Sequence, residues 1–267
     1  MSARSFETIL EGMGDAGQRM AEMGASEGAA GNISVFVRDL PDLDPAFVSQ
    51  GELDLPVAVP NLAGGWIVIT ATGRRLGDIT RYPERTVGVL RVCDGGVRAA
   101  LYAAQPMRPT SEMNSHLAVH DDHVGRRGLT HHAVLHAQPV RLSYLSHVAA
   151  YATTEALSRR LFRWQPEMIV EFPEGIGVLP FEMPGSEEQM RLTVEGMATH
   201  RAVLWQRHGI VTRDDNSIGK AADLVDYAET AAQYEVLNLL LGQPTDGLSD
   251  AELKRIIARM GIVQTLF

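Results

Sequence analysis

Two histidines in this sequence each follow a short apolar run, and their side chains could bind a metal ion. His136 lies in the run Val134-Leu-His-Ala, and His208 follows Ala202-Val-Leu-Trp and directly precedes Gly209. One such histidine alone is typical of a buried core position. Two of them at strand ends, far apart in sequence, are how a metal site is assembled from a sheet. We therefore predict that His136 and His208 are metal ligands.

Three further histidines are spaced for a helix. His116, His120 and His123 fall on one helical face, and histidines at i and i+4 can bind zinc. Asp121 and Asp122 lie among them, and the segment lacks an apolar setting. Surface helices normally show a polar face of this kind. We therefore predict a solvated helix face here, not a metal site.

The segment Pro109-Thr-Ser-Glu112 combines hydroxyls with an acidic residue. Ser111 is predicted to be a helix N-cap, with Glu112 in the first turn. The free N–H groups and positive dipole end of a helix favour anions, and the hydroxyls of Thr110 and Ser111 add donors suited to a phosphate. An ordinary cap followed by a dipole-favoured acid explains the segment equally well.

Two small polar turns beside predicted strands could also contact an oxyanion. They are Gly31-Asn32 and Thr72-Gly73. Each can present backbone N–H groups and one polar side chain to a negatively charged group. Turns of this composition are common, so each also has a purely structural explanation.

Strands and helices alternate along the chain and must position these residues. Apolar runs predict strands at 33–37, 66–70, 134–137, 168–170 and 202–205, and periodicity with capping signals predicts helices at 6–23, 186–200, 217–241 and 249–261. Residues 39–63 show no period and are predicted to be a long irregular excursion. The alternation predicts one α/β domain spanning residues 1–267, without specifying a strand order.

Composition limits the partners that this chain can have. The formal net charge is −9, so nucleic acid and anionic membranes are not expected to bind. No window reaches the ~18 apolar residues of a membrane span, and the N-terminus lacks the apolar run of a secretory signal. Cys93 is the only cysteine. These features predict a reduced, cytoplasmic setting.

Lysine usage bears on carbonyl chemistry. Lys220 and Lys254 are the only lysines, and both lie in predicted charged helix surfaces. A Schiff base needs a desolvated lysine with a lowered pKa. If the protein acts on carbonyl compounds, a metal ion is therefore the expected electron sink.

Seven segments carry a resemblance to a known family. They are Ala30-Gly-Asn-Ile-Ser, Ile69-Thr-Ala-Thr-Gly, Arg108-Pro-Thr-Ser-Glu112, Val134-Leu-His136, the stretch from Glu167 through Phe172-Pro-Glu-Gly-Ile-Gly-Val-Leu-Pro180, Met183-Pro-Gly185 and Val203-Leu-Trp-Gln-Arg-His208-Gly. Together they resemble the class II aldolase/epimerase family, most closely its rhamnulose-1-phosphate aldolase branch.

The resemblance implies a fold and an assembly. It implies a three-layer α/β/α fold with a central mixed, mostly antiparallel sheet. It also implies a cyclic homotetramer with active sites at subunit interfaces, and one zinc ion per subunit held by an H-x-H pair and a later histidine.

The resemblance also assigns roles to residues. His136 and His208 match two of the three metal positions, Glu112 matches an acidic residue beside the metal, and Glu167 matches a second acidic residue near the aldehyde side. The phosphate-contacting positions are matched by Asn32, Thr72, Thr110 and Ser111, with Gly31 and Gly73 in the same turns.

Two positions depart from the family pattern. Gln138 stands where the second metal histidine is expected, and Ala29 stands where the branch has an asparagine. Residues i and i+2 of a strand share a face, so Gln138 is predicted to project beside His136. Its oxygen can bind a divalent ion, although more weakly towards zinc than imidazole. The remaining alternatives are a different metal or one fewer protein ligand, and a loss of aldolase activity.

The implied reaction is retro-aldol cleavage of a ketose 1-phosphate similar to rhamnulose 1-phosphate. The products are dihydroxyacetone phosphate and an aldehyde, formed through a metal-stabilised enediolate, as in rhamnose catabolism. The alternatives are a different ketose phosphate, a pyruvate-type aldol reaction, a ribulose-phosphate 4-epimerase, or a non-catalytic binding homologue.

Overall fold

The computed structural model of the protein describes residues 5–242 and 245–267. Residues 1–4, part of the N-terminal segment predicted to lack a secretory signal, lie outside this range, as do residues 243–244. The strands in the described ranges are β1 (Asn32–Val37), β2 (Val48–Asp54), β3 (Trp66–Thr70), β4 (Val87–Val92), β5 (Arg98–Ala103), β6 (His131–Ala137), β7 (Gly177–Leu179), β8 (Ala202–Trp205) and β9 (Gly209–Asp214). The α-helices there are α1 (Phe6–Glu22), α2 (Pro83–Thr86), α3 (Met113–Arg127), α4 (Val140–Leu145), α5 (Thr154–Leu161), α6 (Pro166–Glu171), α7 (Glu187–Met197), α8 (Ile218–Leu240) and α9 (Asp250–Met260).

The strands form one sheet in the order β2-β5-β4-β3-β1-β6-β9-β8-β7. Neighbouring strands run antiparallel except β7 and β8, which run parallel. The mixed, mostly antiparallel sheet that the resemblance implied is therefore confirmed. The order places β6 between β1 and β9, although these strands are distant in sequence.

The two faces of the sheet carry different helices. Along β6, Ala133, Leu135 and Ala137 belong to the main apolar core, together with side chains of α1 and α8. Successive strand residues point to opposite faces, so His132 and Val134 face the other side. There they contact His120 and Val119 of α3. Helical layers on both faces confirm the three-layer α/β/α arrangement.

Capping residues begin and end the helices largely as the sequence predicts. The Ser217 hydroxyl accepts a hydrogen bond at the start of α8, and Ser249 begins α9 with a complete capping box. Helix α9 ends at Gly261, which has a left-handed φ of 64°. The hydroxyl of Ser186 caps α7, but the Gln189 side chain accepts from Gly185 instead of completing a capping box.

Two predicted segments differ from the structure. The run at 168–170, predicted as a strand, lies in helix α6, which begins at Pro166. Proline favours the first helical position, and so short an apolar run cannot distinguish a strand from a helix. The excursion at 39–63 contains β2, an edge strand that pairs with β5. Its side chains are nearly all exposed, so it shows no apolar period.

The described helices include none with both the length and the apolar composition needed to cross a bilayer. Lys220 on α8 and Lys254 on α9 are exposed, as predicted. Neither ammonium group is therefore desolvated in the way that Schiff-base chemistry requires.

Candidate metal and acid-base site

The strand order brings the two predicted histidine ligands together. His136 on β6 lies opposite Asn32 of β1 on one side and opposite Val211 of β9 on the other. His208 lies in the tight turn that joins β8 to β9, where Trp205 and Gly209 are paired. Arg207 in this turn has a φ of 61°, a left-handed conformation that reverses the chain within three residues.

Glu112 reaches the same place from the start of α3. The segment before it is attached to the end of β3, because the Thr110 N–H donates to the Thr70 carbonyl at 3.0 Å. Glu112 itself occupies the N-cap position of α3, and its side chain does not cap the helix. The prediction of Ser111 as the N-cap was wrong, because the chain enters the helix one residue later.

The carboxylate of Glu112 lies between the two imidazoles. Its Oε2 is 3.7 Å from His136 Nε2, and its Oε1 is 3.5 Å from His208 Nε2. One ligand atom from each of the three residues lies within 4.8 Å of the other two. We refer to Glu112, His136 and His208 as the Glu112 cluster. Among the described residues it is the one group of acidic, histidine or cysteine side chains with this geometry.

The hydrogen bonds of His136 suit a metal ligand. Its Nδ1–H donates to the Ile210 carbonyl at 3.0 Å, which leaves a lone pair on Nε2. That Nε2 is buried and has no hydrogen-bond partner among the described residues. An unpaired buried polar atom is costly. Metal-binding histidines commonly donate their other N–H to a backbone carbonyl, so the cluster fits a divalent cation.

The electrostatics of the cluster agree with this fit. Burial alone would raise the pKa of the Glu112 carboxyl, but the neighbouring His136 ring and the Asn32 amide lower this pKa below its ordinary value. Burial, together with His136, lowers the pKa of His208 to about 4. At neutral pH the site therefore offers a carboxylate and an unprotonated imidazole, the forms that bind metals.

Residues that the sequence did not single out complete the walls of the site. The Trp205 indole stacks on the His208 ring with centroids 5.1 Å apart and lies 4.8 Å from the His136 ring. The Gln189 side-chain amide is 3.4 Å from His208 Nδ1. Trp205 belongs to the motif that carries His208, and the packing of α7 on β8 brings Gln189 to the same place.

Gln138 borders the cluster without a side-chain hydrogen bond to any described residue. Its backbone N–H donates to the Ala25 carbonyl at 2.7 Å, and its side chain is half-buried. A Cβ added at Gly209 would lie 3.1 Å from Gln138 Cγ and 2.9 Å from His136 Cε1. Gln138 therefore packs against the turn that carries His208, and its role as a metal ligand stays a prediction.

The predicted phosphate residues fall into two neighbouring groups. Thr72 N–H donates to the Arg108 carbonyl, which places the exposed Thr72-Gly73 turn beside the segment with Thr110 and Ser111. Gly31 has a φ of +80°, and a Cβ there would lie 2.8 Å from the His136 carbonyl. Asn32 donates its amide to Glu112 Oε2 at 2.8 Å. Phosphate binding at all these positions stays a prediction.

Glu167 lies apart from the Glu112 cluster. It is exposed at the start of α6 and borders a groove of about 810 Å³ together with Arg255 and Arg259 of α9. None of the residues of the Glu112 cluster lines this groove. The structure of this chain does not bring the two predicted catalytic carboxylates together.

The prediction that His116, His120 and His123 form a solvated face was wrong. Their side chains are 1%, 0% and 3% exposed. They are buried because α3 packs between β6 and α7. The prediction failed because it took the lack of apolar residues on this helix face as a sign of exposure. The face is buried against polar side chains of the sheet, to which it is hydrogen-bonded. The sequence did carry a signal for this polar face. Asn32 and Ser34 point to one face of β1, and His132 and His136 point to one face of β6.

Two imidazoles near strand ends and a carboxylate at a helix start, on an α/β/α fold, form a site of the kind that holds a divalent metal ion in enzymes. The family described as "Class II Aldolase and Adducin N-terminal domain" matches residues 11–236. The chain belongs to this family, and the predicted enzyme class, a class II aldolase, is confirmed. Metal dependence is typical of that class.

Two relatives and one solved structure that are similar to this chain are also named as aldolases. The chain is 29% identical over 271 residues to a rhamnulose-1-phosphate aldolase of Yersinia pestis, with coverage of 98% of this chain and 97% of the relative. It is 26% identical over 240 residues to a rhamnulose-1-phosphate aldolase of Bacteroides thetaiotaomicron, with coverage of 88% and 87%. A sugar-phosphate aldolase from Thermotoga maritima superimposes with a TM-score of 0.76 at 29% identity, over 90% of this chain and 98% of that structure.

Proposed function

We propose that the protein cleaves a ketose 1-phosphate similar to rhamnulose 1-phosphate into dihydroxyacetone phosphate and an aldehyde. The observation that carries this proposal is the Glu112 cluster, in which a buried carboxylate lies 3.7 Å and 3.5 Å from two imidazoles. The names of the two relatives support the substrate class. The whole chain, as one domain in the cytoplasm, would serve rhamnose catabolism.

His136 and His208 would hold the metal ion, which we propose to be zinc, with the oxygen of Gln138 as a further ligand. When bound, the cation supplies Lewis-acid stabilisation of the negative charge that develops on the ketone half. The two imidazoles and the adjacent carboxylate suit this ion, because one ligand atom from each of the three residues lies within 4.8 Å of the other two.

Glu112 would move the proton at the reacting carbon. In the aldol direction its carboxylate removes a proton from the carbon next to the carbonyl, and in cleavage the carboxyl returns that proton. Its position supports this role, because burial and the hydrogen bond from Asn32 hold the carboxylate in place, with Oε2 beside His136 and Oε1 beside His208.

Glu167 would assist at the aldehyde side. Because Glu167 lies outside the Glu112 cluster of its own subunit, this role requires the homotetramer in which active sites form at subunit interfaces. The phosphate would be held by the two turns and the segment before α3, through Gly31, Asn32, Thr72, Gly73, Thr110 and Ser111.

The test is cleavage of rhamnulose 1-phosphate by Glu112→Gln, with bound metal measured on the same samples. We expect a loss of kcat of roughly 10²- to 10⁴-fold, the usual contribution of general acid–base catalysis. Glu155→Gln is the control, because Glu155 is exposed and forms a surface ion pair with Arg159. Undiminished turnover in Glu112→Gln would rule out the assignment, and a panel of ketose phosphates, pyruvate donors and ribulose 5-phosphate would identify another reaction.

A non-catalytic binding homologue is the second candidate, favoured by Gln138 at the second metal position. Metal analysis of the purified protein separates the two. If no divalent ion is bound, and added zinc, cobalt or manganese restores neither binding nor cleavage, the second candidate is correct.

A further inference from the structure

A continuous series of buried hydrogen bonds leads away from the Glu112 carboxylate. A carboxylate oxygen can only accept, so the Asn32 side-chain N–H donates to Glu112 Oε2, at 2.8 Å. The amide oxygen of Asn32 then points away from Glu112, towards His116. The reverse orientation of the amide would place two acceptor oxygens in contact.

The next bond is determined by the same reasoning. The Asn32 amide oxygen can only accept, so His116 Nε2 carries the hydrogen in the short bond between them. Burial lowers the pKa of His116 to about 4, so this imidazole is neutral near pH 7. A neutral imidazole with its hydrogen on Nε2 has a lone pair on Nδ1.

The series continues through a serine and two more histidines. The Ser34 hydroxyl is 2.6 Å from His116 Nδ1 and donates its only hydrogen there. It must therefore accept from His120 Nε2–H, at 2.7 Å. Burial holds the pKa of His120 and of His132 well below the ordinary value, so His120 Nδ1 accepts from His132 Nδ1–H, at 2.8 Å.

Every donor in this series points towards Glu112. We call Ser34, His116, His120 and His132 the histidine network, and all four residues are 2% exposed or less. Hydrogen bonds in one direction polarise one another, and the low dielectric of the interior strengthens them. The geometry follows from two patterns, since Asn32 and Ser34 share one face of β1 while Glu112, His116 and His120 line one side of α3.

We propose that the histidine network positions Glu112 for its role in the reaction, acting through Asn32. Its four members are positioning residues, because none of them contacts the site where the substrate and metal would bind. The network holds the Asn32 amide in the one orientation that donates to Glu112, and it thereby fixes the direction of the carboxylate. This inference rests on the proposed role of Glu112.

The first test is the hydrogen position on each ring, read by ¹⁵N NMR of histidine-labelled protein. We expect hydrogen on Nε2 of His116 and His120 and on Nδ1 of His132. The opposite position on any of these rings in the wild-type protein would overturn the network, whichever substrate the protein cleaves.

The second test compares two buried serines. Ser34→Ala removes the hydroxyl between His116 and His120, whereas Ser158→Ala removes a buried hydroxyl whose one hydrogen-bond partner among the described residues is Ile176. In Ser34→Ala we expect kcat to fall and the zinc dissociation constant to rise by roughly 10- to 100-fold each, the usual effect of losing an outer partner of a metal site. KM should change little, and the His116 ring should show both hydrogen positions. Ser34→Thr, which keeps the hydroxyl, should restore both values.

The outcomes separate the two proposals. If the wild-type protein cleaves the substrate but Ser34→Ala has the kcat and zinc affinity of Ser158→Ala, the positioning role is wrong and the proposed function stands. If the wild-type protein cleaves none of the substrates, the proposed function fails. In that case zinc affinity and hydrogen positions in Ser34→Ala still decide whether the network holds the Glu112 carboxylate in place.

Discussion

The Glu112 cluster and the histidine network lie side by side and use buried imidazoles in opposite ways. In the cluster, His136 Nε2 faces a carboxylate 3.7 Å away and has no hydrogen-bond partner in the described ranges. In the network, both ring nitrogens of His116 and of His120 are hydrogen-bonded to a neighbour. An unpaired lone pair beside an anion indicates a cation site, whereas fully matched donors and acceptors indicate support for another group.

Missing partners alone do not define a metal site. His132 Nε2 and His123 Nδ1 are also buried without a hydrogen bond to a described residue. In the part of the chain that the structure describes, neither ring belongs to a group of histidine, cysteine and acidic side chains close enough together to hold one metal ion. The negative charge of Glu112 therefore distinguishes the cluster from the network as much as the unpaired histidine nitrogen does.

The strongest test of this comparison removes one imidazole from the cluster and, as a control, one buried imidazole from outside it. His136→Ala should lose bound metal and at least about 10³-fold in kcat/KM, since Lewis-acid stabilisation contributes several kcal/mol. His123→Gln removes a buried histidine outside the cluster, one that donates only to the Met197 carbonyl. Metal analysis and kinetics on both variants measure the contrast. Equal metal content in the two variants would contradict the assignment of His136.

Acid should destabilise the histidine-rich region around α3. Burial lowers the pKa of His123 to about 3 and holds those of His120 and His132 well below their ordinary value. Between about pH 6.5 and 4, these rings take up protons only when the chain unfolds, so the unfolded state binds more protons and stability falls as pH falls. Each ring should cost about 1.4 kcal/mol per pH unit well below pH 6.5.

Urea unfolding at pH 7.5, 6.0 and 5.0 measures this loss of stability. The variant His123→Gln has one such ring fewer and should show a shallower dependence of the unfolding free energy on pH. A stability that is flat between pH 7.5 and 5.0 would show that the rings titrate alike in both states.

The smallest expected effect concerns Gln138, which stands beside the cluster where the family pattern has a histidine. Gln138→His places an imidazole beside His136 and should tighten zinc binding by roughly tenfold, about 1.4 kcal/mol, because imidazole is a better zinc ligand than an amide oxygen. Competition with a chelator measures the change, and Gln165→His, on a distant half-buried glutamine, is the control. An affinity equal to that of the control would mean that position 138 does not reach the ion.

Local signals predicted the local parts of the site well. The apolar runs located the strand of His136 and the turn of His208, and capping signals located the starts of α7, α8 and α9. These features depend on residues near one another in sequence, because hydrophobic periodicity and side-chain caps determine local secondary structure directly. The position of Glu112 was within one residue of its predicted place at the start of α3.

Features that depend on distant residues could not be predicted in the same way. By itself the sequence determined which residue types stand at strand ends and helix starts, and its motifs resembled those of one family. Only the tertiary structure decided that β6 lies between β1 and β9, which sets Asn32 opposite His136. It also decided that the polar face of α3 is buried, because the burial of a helix face depends on the side chains opposite it and not on the helix itself.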